Sequence, residues 1–171
     1  SPSPSLLKRA VVFAFRPLLI SNDLIYLEVM DKYVELAGKP WYRSESEWKE
    51  QERKILERRV RHIFASMLLP ALYPAAAAFD EDAARTDCAR LAVALRLYRM
   101  KHDRYPDTLR DLVPEEIDEL PVDPFSGKNY IYRREPKGFI LYSVGRNMVD
   151  DGGVEDPQDR EKGDLTWRCS R

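Results

Sequence analysis

Seven carboxylates fall between positions 150 and 164: Asp150, Asp151, Glu155, Asp156, Asp159, Glu161 and Asp164. Only Arg160 and Lys162 offset them, which leaves this stretch at a net −5. Residues 1–104 hold 18 Lys/Arg against 14 Asp/Glu, a net of +4, and residues 105–171 hold 10 against 15, a net of −5. One loop therefore carries the whole acidic imbalance of the second part, and a local cause is needed. Carboxylates this crowded repel one another unless a counter-charge sits among them. Calcium is a hard cation that takes six to eight oxygens from carboxylates, amides and backbone carbonyls. Asn147, Asp150, Asp151 and Asp156 supply such oxygens within ten residues, and Asp164 stands where it can close the set from the far side. Gly145, Gly152 and Gly153 permit the tight turns that aim backbone carbonyls inward. Magnesium, with few protein ligands and strict octahedral geometry, fits less well. The alternative is a solvated acidic loop without an ion.

Little else in the chain has the spacing of a reactive site. His62 and His102 lack a second histidine, cysteine or carboxylate at metal-ligand spacing. Cys88 and Cys169 do not form a CxxC pair, so zinc or redox chemistry is not indicated. They read either as reduced small hydrophobes or as a disulfide between a helix and the last strand, which needs an oxidising compartment. Asp150 with Asp151, and Glu115 with Glu116, are the best acid–base pairs available. Neighbouring residues point apart, and no Ser, His or Lys constellation supports them. The chain reads as non-enzymatic, a carboxylate-dependent hydrolase being the alternative from another class.

These residues need elements to hold them. A length of 171 residues suits one domain with a helical extension, and 44% apolar with 33% charged residues suits a packed core. Ser21 as N-cap, Ile20 stapled to Ile25, and Leu24, Leu27, Met30 and Val34 at helical spacing predict a first helix that Gly38 and Pro40 stop. Ser44 and Glu47 have capping-box spacing. Trp48, Ile55, Leu56, Val60, Ile63, Phe64 and Met67 then give the apolar face of a second helix ending before Pro70. Its charged face mixes Glu50, Glu52 and Glu57 with Arg53, Lys54, Arg58 and Arg61, a solvated surface rather than a nucleic-acid patch. A third helix, about Ala71 to His102, carries the stripe Ala84, Cys88, Leu91, Leu95, Tyr98 and His102.

After Tyr105-Pro106 the period changes. A helical turn over Thr108–Val113 and a Pro/Asp/Gly loop over Pro121–Gly127 lead to two strands, Asn129–Arg134 and Gly138–Val144, joined by Glu135-Pro-Lys-Gly. Asp164–Arg168 returns as a third strand. The expected fold is α+β: N-terminal amphipathic helices, then a long helix packed on a small three-stranded antiparallel sheet with a long acidic loop. Trp167, Phe139, Leu141, Tyr132 and Leu95 are expected in one core.

Several of these pieces, in this order, resemble a family. Tyr105-Pro106, Leu109, Leu112-Val113-Pro114, Asp123–Lys128, Tyr130–Tyr132, Phe139–Gly145, Asp150–Gly153 and Asp164–Trp167 look like the globular part of the major type II secretion pseudopilin. They are especially similar to the pseudopilin-like C-terminal domains of large envelope proteins of planctomycete-type bacteria. The resemblance covers about residues 71–171, leaving 1–70 as a helical N-terminal region of open role. It implies that Ala83–His102 is the lower part of a pilin-type helix. It also implies that the loop before the last strand binds calcium, through acidic side chains and backbone carbonyls. Asn147 stands where the family has an aspartate, Asp164 where it has the aspartate before the late tryptophan, and Asp150 and Asp151 lie in the acidic Gly-Gly segment. An Asn there removes a charge and keeps an oxygen.

The chain departs from a true pseudopilin in lacking the long apolar N-terminal helix. Leu6–Ile20 is too short, and too interrupted by Lys8, Arg9, Arg16 and Pro17, to span a bilayer. Starting at Ser1, the chain is expected to be a piece of a longer protein whose membrane anchor lies outside it. The expected role is an extracytoplasmic, cell-envelope structural or interaction module with a calcium-ordered loop. Its partner is a protein or another copy of itself, not nucleic acid, and Trp41, Tyr42 or Trp48 would offer exposed aromatics to it. A filament subunit cut from its membrane helix is the alternative.

Overall fold

The computed structural model describes residues 24, 26–57, 72–159 and 161–170. The chain has the α+β architecture expected from its periodicity, with three α-helices and a three-stranded antiparallel sheet among the described residues, the longest helix packing on the sheet. Helix α1 covers residues 26–37, α2 is Trp41–Glu57 and α3 is Leu72–His102. Strands β1 (Ile131–Glu135), β2 (Gly138–Ser143) and β3 (Leu165–Ser170) pair in the order β1-β2-β3. The described residues divide into two compact units. One takes 24–39, 44–57 and 72–76; the other takes 40–43 and 77–170 without 160.

In the helical unit, α1 buries Tyr33 and Leu36, whereas Leu24, Leu27 and Val34 of the expected stripe face solvent. The pairing of Tyr33 with Trp48, ring centroids 4.8 Å apart, sets which side of α1 turns inward. Lys32 of α1 and Lys39, two residues past its end, both reach Glu47, at 2.9 and 3.4 Å. Helix α2 begins at Trp41, so Ser44 lies inside its first turns, buried, and is not the N-cap that its spacing to Glu47 predicts. Trp48 and Ile55 are buried as expected. Ser21, Ile25, Val60, Ile63, Phe64, Met67, Pro70 and the side chain of Leu56 lie outside the described residues.

In the α+β unit, Ala84, Cys88, Leu91 and Leu95 of α3 are buried, as the stripe predicts. Tyr98 is half-buried against His102, which is exposed. Every residue of β2 is buried. The register explains why. Phe139, Leu141 and Ser143 share one sheet face with Cys169, Trp167 and Leu165 of β3. That face meets α3, since the guanidinium of Arg96 donates to Cys169 Sγ at 3.6 Å. Ile140 and Tyr142 occupy the opposite face, and there the acidic loop folds back. A Cβ on Gly153 would lie 2.3 Å from Ile140 Cδ1 and 3.3 Å from the Tyr142 ring. Helix on one side and loop on the other make β2 the centre of three layers.

Phe139, Leu141 and Leu95 form the expected core, with Tyr105 edge-on to Phe139 at 5.1 Å. Tyr132 is half-buried and donates to Pro106 O at 2.8 Å. Trp167 is 43% exposed and does not join that core, because β3 is an edge strand with no further strand paired on its outer flank among the described residues. The β1–β2 hairpin turns through Pro136 and Lys137, with Glu135 opposite Gly138. Trp41 and Trp48 are buried and Tyr42 half-buried, so none of them is the open aromatic surface expected from the sequence. Trp41 meets Phe125 edge-on at 6.4 Å, and the Tyr42 N–H donates to Pro124 O at 3.1 Å.

Candidate metal centre

The acidic loop owes much of its shape to its own carboxylates. Asn147 Oδ1 accepts the N–H of Val149 at 3.1 Å, and Asp150 Oδ1 that of Gly152 at 2.9 Å. Asp156 Oδ1 accepts from Gln158 and Asp159 at 2.9 and 3.1 Å, and Asp159 Oδ1 from Glu161 at 3.0 Å. Each is an acidic or amide side chain closing a turn on the backbone two or three residues ahead. The repulsion read from the sequence is thus met in part by peptide N–H groups, in part by Lys162, 2.9 Å from Asp159. The signal was present in the sequence, since Asp and Asn favour such turns as well as cations.

Asp164 is different. It is 2% exposed and leads into β3, where its N–H donates to Val154 O at 2.8 Å and fixes the chain's return. Its Oδ2 accepts the N–H of Gly153 at 2.6 Å, and its Oδ1 that of Asp151 at 3.3 Å. Burial raises its pKa above the ordinary carboxyl value, the two N–H bonds oppose that, and the nearby charges of Asp151 and Asp150 raise it further. Asp150 reaches the sheet through Tyr142, whose hydroxyl donates to Asp150 Oδ1 at 3.0 Å. Burial and that bond push the Tyr142 phenol up to about 12. Asn147 Nδ2 donates to Asp151 Oδ2 at 2.8 Å.

Asn147, Asp150, Asp151 and Asp164 are therefore brought together, linked through hydrogen bonds to one another or to the same backbone. Asp150 Oδ2 and Asp151 Oδ1 accept no hydrogen bond among the described residues. Asp156 lines a cleft of about 150 Å³ whose acids also include Glu81, Glu155 and Asp164 and whose cations are Arg85 and Lys162. Among the described residues, no three His, Cys, Asp or Glu side chains converge closely enough to hold an ion as they stand. The donor chemistry of the first four residues, all hard oxygens with two free carboxylate atoms, fits calcium. Both cysteines are free thiols, Cys88 buried and Cys169 half-buried.

Three structural carboxylates escaped sequence reasoning. Asp123, 1% exposed, accepts the Ser143 hydroxyl at 2.7 Å and the Phe125 N–H at 3.1 Å. Ser143 Oγ accepts in turn from Gly145 N–H at 3.2 Å, so a relay ties the Pro/Asp/Gly loop to the first turn of the acidic loop. Glu81 pairs with Arg146, and Asp87 accepts the Tyr130 hydroxyl at 3.1 Å. Asp123 between Val122 and Pro124 had a turn signature that could have marked it. Glu81 and Asp87 had none, because their partners lie more than forty positions away.

Comparison with family models, with curated proteins and with solved structures finds no match to this chain.

Proposed function

We propose that the chain is a non-enzymatic, extracytoplasmic structural or interaction module of the cell envelope. In this reading it resembles the globular domain of the major type II secretion pseudopilin, and calcium orders its acidic loop. The observation that carries the reading is the position of Asp164. It is a nearly inaccessible carboxylate at the head of β3, with Asp150 and Asp151 near enough to disfavour its ionisation. A divalent ion held by Asp150, Asp151 and Asp164, with Asn147 contributing its amide oxygen, would neutralise that charge and tie both ends of the loop together. Its contribution is electrostatic cross-linking, and no residue here is assigned a catalytic step. An ion would have to draw the carboxylates closer than they stand, at the expense of the Asn147–Asp151 hydrogen bond.

The test is a thermal melt of the full chain in chelator, in calcium and in magnesium. Extracellular calcium modules bind at roughly 10⁻⁴–10⁻³ M. At about 10 mM calcium, mass action then gives about 1.4–2.7 kcal/mol. For a chain of this length that raises Tm by about 3–10 °C. The gain is expected to vanish in the Asp150→Ala/Asp151→Ala/Asp164→Ala variant and to be small in magnesium. Identical melts with and without chelator would remove the metal from this reading.

A further inference from the structure

The outer side of α3 is apolar where a solvated helix would be polar. Ala89, Val93 and Leu97 follow one another at four-residue spacing, on the side away from buried Leu91 and Leu95. Val93 is 59% exposed and Leu97 43%. The segment after the 3₁₀ turn Leu109–Leu112 runs alongside and forms a second wall, where Pro114 and Ile117 add apolar surface. Between the walls lies a groove of about 700 Å³, room for several side chains of a ligand.

The rim is predominantly acidic. Glu115, Asp118 and Glu119 border the groove, and none has an ion-pair partner among the described residues. Glu116 is engaged by Lys101 at 2.7 Å, and the one cation in the lining, Arg90, lies 3.4 Å from Asp87. An apolar floor beside three unspent carboxylates is complementary to a helix or extended segment with apolar and basic residues on adjoining faces.

We propose that this groove docks a basic amphipathic segment of a partner protein. Its apolar side chains lie on Val93 and Leu97, and its Lys or Arg residues lie opposite Glu115, Asp118 and Glu119. Anionic lipid headgroups and nucleic-acid phosphates would meet the same carboxylates and be repelled. No lining residue belongs to the acidic loop, so the proposal stands independently of calcium.

The experiment uses the full chain and fluorescein-labelled synthetic peptides of about five helical turns. One has Leu and Lys in amphipathic order, one has Glu in place of every Lys, and one is a scramble of the first. Fluorescence anisotropy is expected to give a Kd for the Leu/Lys peptide about tenfold below that of either control. The Glu115→Gln/Asp118→Asn/Glu119→Gln variant, and separately Val93→Ser/Leu97→Ser, should each weaken it about tenfold. Unchanged thermal melts confirm that these surface variants fold. Equal affinity for the scramble, retained affinity in either variant, or stronger binding to phosphatidylserine vesicles than to the peptide overturns the proposal.

Discussion

Replacing Asp123 by Ala isolates the relay that fastens the Pro/Asp/Gly loop to β2. The substitution leaves two buried donors without an acceptor, the Ser143 hydroxyl at 2.7 Å and the Phe125 N–H at 3.1 Å. An unsatisfied buried donor costs about 1–3 kcal/mol. Removing a buried charge returns part of its desolvation cost, so the net loss is about 2–4 kcal/mol. That lowers Tm by about 5–15 °C for a chain of this size. Ser143→Ala should cost less, because Asp123 keeps the Phe125 N–H and only Gly145 N–H is orphaned. Urea unfolding of wild type, both single variants and the double variant closes a cycle with an expected coupling of about 1–3 kcal/mol. Asp123→Asn retains a carbonyl oxygen and should fall between wild type and Ala. Amide exchange at Gly145 should quicken in Asp123→Ala, since the relay ends there. A loss below about 0.5 kcal/mol with no coupling would refute the reasoning, because exposed positions behave that way.

Three further outcomes follow from the same geometry. Gly153→Ala should destabilise by about 2–4 kcal/mol in urea unfolding, since φ is +81° and the new Cβ meets Ile140 at 2.3 Å; Gly152→Ala, with φ +74° and open space, should cost only about 1 kcal/mol. Burial pushes the Cys88 thiol up to about 12, whereas the Arg96 guanidinium holds Cys169 below the ordinary thiol value. A thiol-disulfide reagent should therefore label Cys169 in the native protein and Cys88 only after unfolding, and Arg96→Met should slow the first reaction. Asp164 has a raised folded pKa, so between the unfolded value near 3.9 and that raised value the native state binds more protons. In chelator, the stability of wild type relative to Asp164→Asn should fall as pH rises through this window; a flat or rising difference contradicts the assigned burial.

Local signals in the sequence were good guides where local physics decides. The turn residues Glu135-Pro-Lys-Gly mark the β1–β2 hairpin, and the spacing of Ala84, Cys88, Leu91 and Leu95 marks the buried side of α3. Tertiary contacts overrode propensity elsewhere. Spacing between Ser44 and Glu47 suggested a cap, yet the helix starts three residues earlier, where Trp41 seats on Phe125. Trp167 looked like core by residue type, but strand order puts it on an edge. The grouping of Asn147, Asp150, Asp151 and Asp164 was legible from composition and glycine positions. That Asp156 caps a separate turn was not, since an Asp serving a cation and an Asp serving a backbone N–H look alike in sequence.

The acidic loop and the sheet are energetically one element. Central strand β2 is buried on both faces, and Ile140 and Tyr142 are covered by loop backbone at Gly153 and by the Tyr142–Asp150 hydrogen bond. Loosening the loop would expose those two side chains, a loss of about 1.5–3 kcal/mol for a fully buried aliphatic residue. It would also free the Gly153 and Asp151 N–H groups that now bind Asp164. Anything that stabilises the loop therefore stabilises β2, and through the Asp123–Ser143 relay the Pro/Asp/Gly loop as well. A cation among Asp150, Asp151 and Asp164 would act on global unfolding, not only on local order. The calcium-dependent gain in Tm should accordingly be smaller in Tyr142→Phe, which cuts the strand's link to Asp150, than in wild type. Equal gains in the two proteins would mean that loop and sheet melt separately.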